Sequence, residues 1–260
     1  MNKISFSNKK NKIIIIAAAI VSLLIAVTIL ILHSNQIRKK ENGIFSLSKV
    51  VIFNSVGVIN NENNPSLINL NINQFSDLSL YINNNSENTE LNKYNTIKEL
   101  YIDNINISTN SEKNNILNYK NTLSLGKYEN LYEPENKKIN FTVLKNNSNN
   151  KNANYSSPTF YTDCSNPITL GYINKDIVVN YSISDNSNVV SYNAKVLGNT
   201  NINLEDLNAT LDFTIHIVNN AGHKLSCNMK LQITFDNDFI TNGYSYITIP
   251  LSGDEYQFKR

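Results

Sequence analysis

Ala209-Thr210-Leu211-Asp212-Phe213-Thr214-Ile215-His216-Ile217 alternates apolar and polar residues. After Asn219-Asn220-Ala221-Gly222, the run Leu225-Ser226-Cys227-Asn228-Met229-Lys230-Leu231-Gln232-Ile233-Thr234-Phe235 does so again. Successive side chains of a strand point to opposite faces. Leu211, Phe213, Ile215 and Ile217 therefore share one face, and Asp212, Thr214 and His216 the other. The Asn-rich turn that ends in Gly predicts an antiparallel hairpin with one buried and one wet face.

Outward from this hairpin the period of two persists. Ile68, Leu70 and Ile72 form one strand signal, and Leu78, Leu80 and Ile82 another after a Ser76-Asp77 turn. Thr96 to Ser108 reads as a longer strand, and Ile139, Phe141 and Val143 as a short one. Ile168 to Tyr172, Ile177 to Ile183, Val189 to Leu197 and Tyr244 to Leu251 complete the set, the last preceded by the turn signal Asn242-Gly243. Helix signals are confined to Asn114–Tyr119 and a single turn at Leu204–Leu207. About a dozen strands with polar turns predict an all-β fold, an antiparallel β-sandwich of immunoglobulin-like or jelly-roll type. The expected domain covers 46–260. The low-complexity stretch 146–155 reads as a long surface loop or as a linker between two domains, 46–145 and 156–260.

Ahead of the β region, Ile13 to Leu32 is a run of 20 residues whose only polar members are Ser22 and Thr28. At 1.5 Å per residue it spans the ~30 Å hydrocarbon core of a bilayer. The run is longer than the apolar region of a signal peptide, and Ile31-Leu32-His33-Ser34-Asn35 offers no small-x-small cleavage pair. An uncleaved transmembrane anchor at 13–32 is the expectation, with a cytoplasmic tail at 1–12 and a linker at 33–45. Four Lys precede the run and Arg38, Lys39 and Lys40 follow it, which favours an inside N-terminus and an outside C-terminal domain. The expected address is the cell membrane, crossed once, with the lipid bilayer as a partner through 13–32.

Composition narrows the function. The chain has 50 Asn, 14 Tyr and no Trp. An excess of Asn, Ile and Lys, all with AT-rich codons, points to an AT-rich genome. Seven of the 23 basic residues lie within the first 40, leaving 16 basic against 21 acidic residues, a net of −5, in the remainder. That is the wrong sign for a nucleic-acid binder.

Catalytic signals are absent from the sequence: no G-x-S-x-G, no H-E-x-x-H, and no Cys with a nearby His in a nucleophile context. His216 and His223 sit on one hairpin and with Asp212 form a conceivable metal set, but solvated surface histidines are the simpler reading. Glu99, Asp103, Glu205 and Asp206 read as surface acids. No cofactor, metal or catalytic residue is expected. The two cysteines, Cys164 and Cys227, read either as separate buried thiols or as one disulfide. In an oxidising exterior, closing a loop of about 60 residues is worth roughly 3–4 kcal/mol.

Leu100-Tyr101-Ile102-Asp103-Asn104-Ile105 resembles a core strand of jelly-roll carbohydrate-binding modules. That likeness implies a sugar-binding sandwich with a structural calcium, in which Tyr would take the place of the missing Trp. More broadly, Asn166 to Lys175 and Phe213 to Asn220 resemble segments of single-pass, membrane-anchored β-sandwich proteins of AT-rich Gram-positive gut bacteria. This second resemblance implies address and fold and carries no activity. The expected function is a membrane-anchored extracellular binding or adhesion module with a glycan or surface-protein ligand. A non-catalytic structural subunit of an envelope complex and an envelope hydrolase are the alternatives.

Overall fold

The hairpin forms as its alternation demands. In a computed structural model, β8 (Ala209–Asn219) and β9 (Lys224–Ile233) pair antiparallel from Ala209↔Ile233 to Val218↔Lys224. Leu211, Phe213, Ile215, Ile217, Leu225, Met229, Leu231 and Ile233 are all buried. Asn219, itself buried, shapes the turn: its Oδ1 accepts from the N–H groups of Ala221 and His223 at 3.1 and 2.9 Å. Gly222, at φ +80°, takes the left-handed position that a side chain resists. The structure describes residues 4–60, 68–86, 92–109, 118–120, 135–141, 168–181, 190–191, 194–199 and 202–260.

The described strands form two antiparallel sheets. One holds β5 (Ile139–Phe141), β3 (Ile97–Thr109), β8 and β9 in that order. The other runs β10 (Ser245–Pro250), β1 (Phe45–Asn60), β2 (Ile68–Asn84), β6 (Ile168–Tyr181) and β4 (Asn118–Lys120), with β7 (Val190–Ser191) also on β1. Each sheet draws strands from both sides of 146–155, and 43–260 is one compact unit. A single hydrophobic cluster takes in Leu47, Val50, Ile52, Leu78 and Leu80 from the first-paired strands β1 and β2. It also takes in Leu100, Ile102, Phe213, Ile215 and Leu231 from β3, β8 and β9. Fully burying a side chain of this size contributes about 1.5–3 kcal/mol, so this shared cluster holds the two sheets together.

Several elements differ from the sequence reading. Ser76-Asp77 is not a turn but the middle of β2. Ile72, Gln74, Ser76, Leu78, Leu80 and Ile82 keep one parity, so the strand has no reason to break. Two of its buried polar members bond to other elements: Gln74 Nε2 donates to the Leu207 carbonyl at 2.6 Å and Ser76 Oγ to Asn54 Oδ1 at 2.7 Å. Asn54 Nδ2 in turn donates to Ser245 Oγ at 3.1 Å, tying β10 to β1 and β2. Ile168–Tyr172 and 177–181 merge into β6, with 182 and 183 outside the described residues, and its register against β2 shifts twice, between Ile68 and Leu70 and between Leu70 and Ile72.

Of 189–197, Val190–Ser191 is strand and 194–197 belong to a 3-10 helix, Ala194–Asn199, while 189, 192 and 193 lie outside the described residues. Of 114–119, residues 118 and 119 are strand in β4, and 114–117 lie outside the described residues. The Asn242-Gly243 signal ends a short helix, α2 (Asn237–Asn242). Asp236 caps its start by accepting from Phe239 N–H, and Gly243 closes it at φ +84°.

Separately, α1 (Ile4–Glu41) contains the apolar run. Ile13–Glu41 is long and apolar enough to cross a membrane, with a mean hydropathy of 3.2 in its best window and none of that window buried, which fits a single-pass anchor. Ser22 and Thr28 donate to the Ala19 and Leu24 carbonyls, both at 2.9 Å, so neither presents a bare hydroxyl. Helix continues through most of the stretch read as a linker, as far as Glu41. Arg38, Lys39 and Lys40 occupy its last turn, where positive charge suits the helix dipole.

β3 carries a bulge between Asp103 and Asn106, and Asn104 within it takes φ +53°. Asn tolerates this left-handed conformation better than other residues with a Cβ. Asn104→Ala should cost about 1 kcal/mol and Asn104→Gly less than about 0.5 kcal/mol. Urea titrations of the two variants should therefore show their midpoints on different sides of that gap. Equal losses would mean the side chain, not the backbone, matters here.

Candidate functional site

The bulge opens the face of the β3–β8–β9 sheet that points away from the core. Asn104, Asp212, Thr214, Asn228 and Lys230, with Phe213, Met229 and Tyr256, line a depression of about 430 Å³. Asn104 Nδ2 lies 3.4 Å from Thr214 Oγ1, which donates to Asn228 Oδ1 at 3.1 Å, so one polar row crosses three strands. Asp212 and Lys230 face each other across the β8–β9 ladder. The row presents amides, a hydroxyl, a carboxylate and an ammonium, groups that suit a hydroxyl-bearing ligand.

Beside the depression lies a feature that sequence reasoning missed. His216 was expected to be solvated on the wet face; it is only 6% exposed. Its partner is not Asp212 but Asp103, whose Oδ1 sits 2.6 Å from His216 Nε2. Tyr101, opposite His216 in the β3–β8 register, covers the imidazole with ring centroids 4.7 Å apart. Lys138 and Lys224 place their ammonium groups 4.0 and 5.3 Å from the Tyr101 centroid, a cation–π arrangement on the same ring. His216 Nδ1 is buried without a hydrogen-bond partner. Burial holds the His216 pKa below its ordinary value, opposed by the bond and charge of Asp103 and assisted by Lys224 and Lys138.

His223 does not join this group. It lies against the Tyr94 ring at 5.9 Å, and its Nδ1 accepts from Arg260 at 3.3 Å. Among the described residues, no three His, Cys, Asp or Glu side chains converge as a metal site would require. Glu99 faces Lys98 at 4.0 Å with both side chains about half exposed, a pairing worth little. Glu205 and Asp206 occupy the first turn of the 3-10 segment Leu204–Leu207, the turn foreseen from sequence. Cys227 is a buried free thiol that burial pushes up to about 11, so it is a poor nucleophile at neutral pH. Cys164, its candidate disulfide partner, lies outside the described residues.

A second surface lies on the other sheet. Outside α1, the only exposed large apolar side chains among the described residues are Tyr244 and Tyr246, at 50% and 64%. Tyr244 packs on Phe53 with centroids 5.4 Å apart, and Tyr246 pairs with Phe53 in the β1–β10 register. Tyr81 follows on β2, with Lys49 Nζ 4.0 Å from its ring centroid. Burial, then the neighbouring Tyr246, holds the Tyr81 hydroxyl pKa above its ordinary value. Four aromatic rings and one ammonium thus line one side of this sheet.

Comparison with protein-family models, curated proteins and solved structures found no match. The aromatic strip offers flat apolar faces with polar tips, and the depression offers hydrogen-bonding groups around a bulge.

The His216 environment makes a pH prediction. Because its folded-state pKa lies below the ordinary 6.5, the unfolded chain takes up a proton first as pH falls. Stability from the neutral, buried imidazole is present above about pH 6.5 and is lost on acidification toward the folded-state value. Thermal melts at pH 7.5 and 5.5 should show a lower Tm at the acid value. His216→Gln should flatten that difference. An unchanged slope in the variant would assign it to other groups.

Proposed function

We propose that this chain is a membrane-anchored binding module whose β domain faces the cell exterior and engages a surface glycan. The two sheets act as layers of a sandwich, of immunoglobulin-like or jelly-roll type, and the anchor holds them at the membrane. The observation that carries this reading is the exposure of Tyr244 and Tyr246 beside Phe53 and Tyr81. A soluble domain seldom leaves aromatic rings together in water without use. Tyr stacks its apolar face on a sugar ring while its hydroxyl stays wet, which suits a chain with 14 Tyr and no Trp. The polar depression on the other sheet supports the same class of ligand, since amide and carboxylate groups match hydroxyls. The bilayer is the second partner, through the apolar part of α1.

The test uses the full chain in proteoliposomes against a panel of envelope polysaccharides. Tyr244→Ala and Tyr246→Ala should each weaken binding by about two- to tenfold, the equivalent of about 0.5–1.5 kcal/mol of stacking. Unaltered binding in the double variant, or no binding to any glycan by the parent chain, would sink the glycan reading. Protease shaving of intact cells that carry a C-terminal tag tests the address separately. The tag should be lost, and its survival would place the β domain inside.

A further inference from the structure

We infer that the hairpin-turn end of the four-stranded sheet is an acidic-sugar site: Lys138 and Lys224, seated on Tyr101, take up an anionic group, carboxylate or phosphate, of the surface glycan. The two lysines come from opposite sides of the sheet. Lys138 precedes β5 and Lys224 opens β9, with Tyr101 of β3 between them. Their ammonium groups lie 4.0 and 5.3 Å from the same ring centroid, and so no more than about 9 Å from each other. Two charge-assisted bonds of about 2.8 Å that share one carboxylate or phosphate span roughly that distance.

Like charges repel, and a lysine left to itself samples many rotamers. Here one ring, only 7% exposed, holds both ammonium groups beside it, so the charges are gathered before a ligand arrives. Binding an anion then costs less ordering than on an ordinary lysine surface. The gathered charge also acts inward: Lys224 and Lys138 both add to the burial that holds the His216 pKa low. The acids of this face have other neighbours. Asp103 bonds His216 at 2.6 Å and Glu99 faces Lys98 at 4.0 Å. Asp212 lies further along β8, opposite Lys230.

The cations continue past this pair. Lys93 Nζ sits 5.1 Å from the Tyr94 centroid, Tyr94 lies 5.9 Å from His223, and Arg260 bonds His223 at 3.3 Å. His223 directly precedes Lys224 in the chain, so the two groups are neighbours. Lys93, Lys138, Lys224 and Arg260 are all exposed. Cations thus alternate with two tyrosines, which suits a ligand that joins negative charge to the apolar face of a sugar ring. The charge balance of the chain favours the same occupant. Beyond residue 40 the net is −5, so an acidic polymer is repelled by most of the surface and drawn to where cations gather. The inference rests on the glycan reading and adds the charge of the glycan.

The test is sedimentation of labelled polygalacturonate, phosphomannan and neutral dextran with the full chain in phosphatidylcholine proteoliposomes. At least one acidic polymer should bind. Lys138→Gln with Lys224→Gln should weaken that binding about tenfold, with circular dichroism and Tm unchanged. Lys138→Arg with Lys224→Arg should retain it. Lys195→Gln, an exposed position in the 3-10 segment Ala194–Asn199, should leave it unaltered. An acidic polymer that binds the double glutamine variant as well as the parent would overturn the inference. So would lysine-dependent binding of phosphatidylserine vesicles with no acidic polymer bound, which would assign the patch to lipid headgroups. Dextran binding that depends on Tyr244 and Tyr246, without lysine-dependent binding of either acid, removes the acidic-sugar site alone. Failure of the glycan reading has a different signature: no polymer binds, neutral or acidic, and both proposals fall.

Discussion

The strands β1, β2, β3, β8 and β9 each carry an apolar row that must leave water, and no single sheet can cover its own row. The rows of β1, β2, β3, β8 and β9 meet in one cluster, with Leu47, Ile52, Leu78, Leu80, Ile102, Ile215 and Leu231 each at most 2% exposed. Once that face of each sheet is fixed, the other face is fixed too, because a one-residue slip would turn the whole row outward. Several polar groups drawn into the interior bond to one another or to the backbone. Asn54, Ser76 and Gln74 sit at 0% exposure, and the Asn54–Ser76 and Asn54–Ser245 bonds join three strands.

The functional surfaces lie on the faces and edges that the core leaves over. On the four-stranded sheet, one extra residue in β3 lets Asn104 swing out beside Thr214 while Ile105 stays buried. The same face holds His216 beneath Tyr101, with Asp103 bonded at 2.6 Å. On the other sheet, Tyr246 of β10 and the preceding Tyr244 stand exposed beside Phe53. One face is thus polar and locally sealed and the other aromatic and open.

The hairpin of β8 and β9 was legible because both faces are written in one unbroken alternation with a turn between them. Likewise β3, β5 and β10 stood close to where their patterns put them. The reading failed where a local signal conflicted with longer pairing. Ser76-Asp77 looks like a turn in isolation, yet β1 pairs across it from Phe53↔Asp77 to Asn54↔Ser76, and the ladder outweighs the propensity. Val189–Leu197 has strand-forming residues, but the segment from Ala194 packs with α2 instead: Ala194 N–H donates to the Gly243 carbonyl at 3.2 Å. α2 was overlooked because six residues are too few to show a helical period, although Asp236 and Gly243 mark its ends.

The sequence by itself determined the apolar helix, the β class and the parity of the strands with unbroken alternation, such as β8 and β9, since these depend on residues near one another in the chain. Only the tertiary structure decided which strands are neighbours. It also decided that Asp103, from 113 residues away, bonds His216, and that β10 ends the order of the described strands in its sheet. Burial of His216 was invisible beforehand because alternation reports which face a residue takes, not what covers that face. Tyr101 reaches it only through the pairing of β3 with β8, and such long-range pairing is chosen by the fit of the whole core rather than by any local pattern.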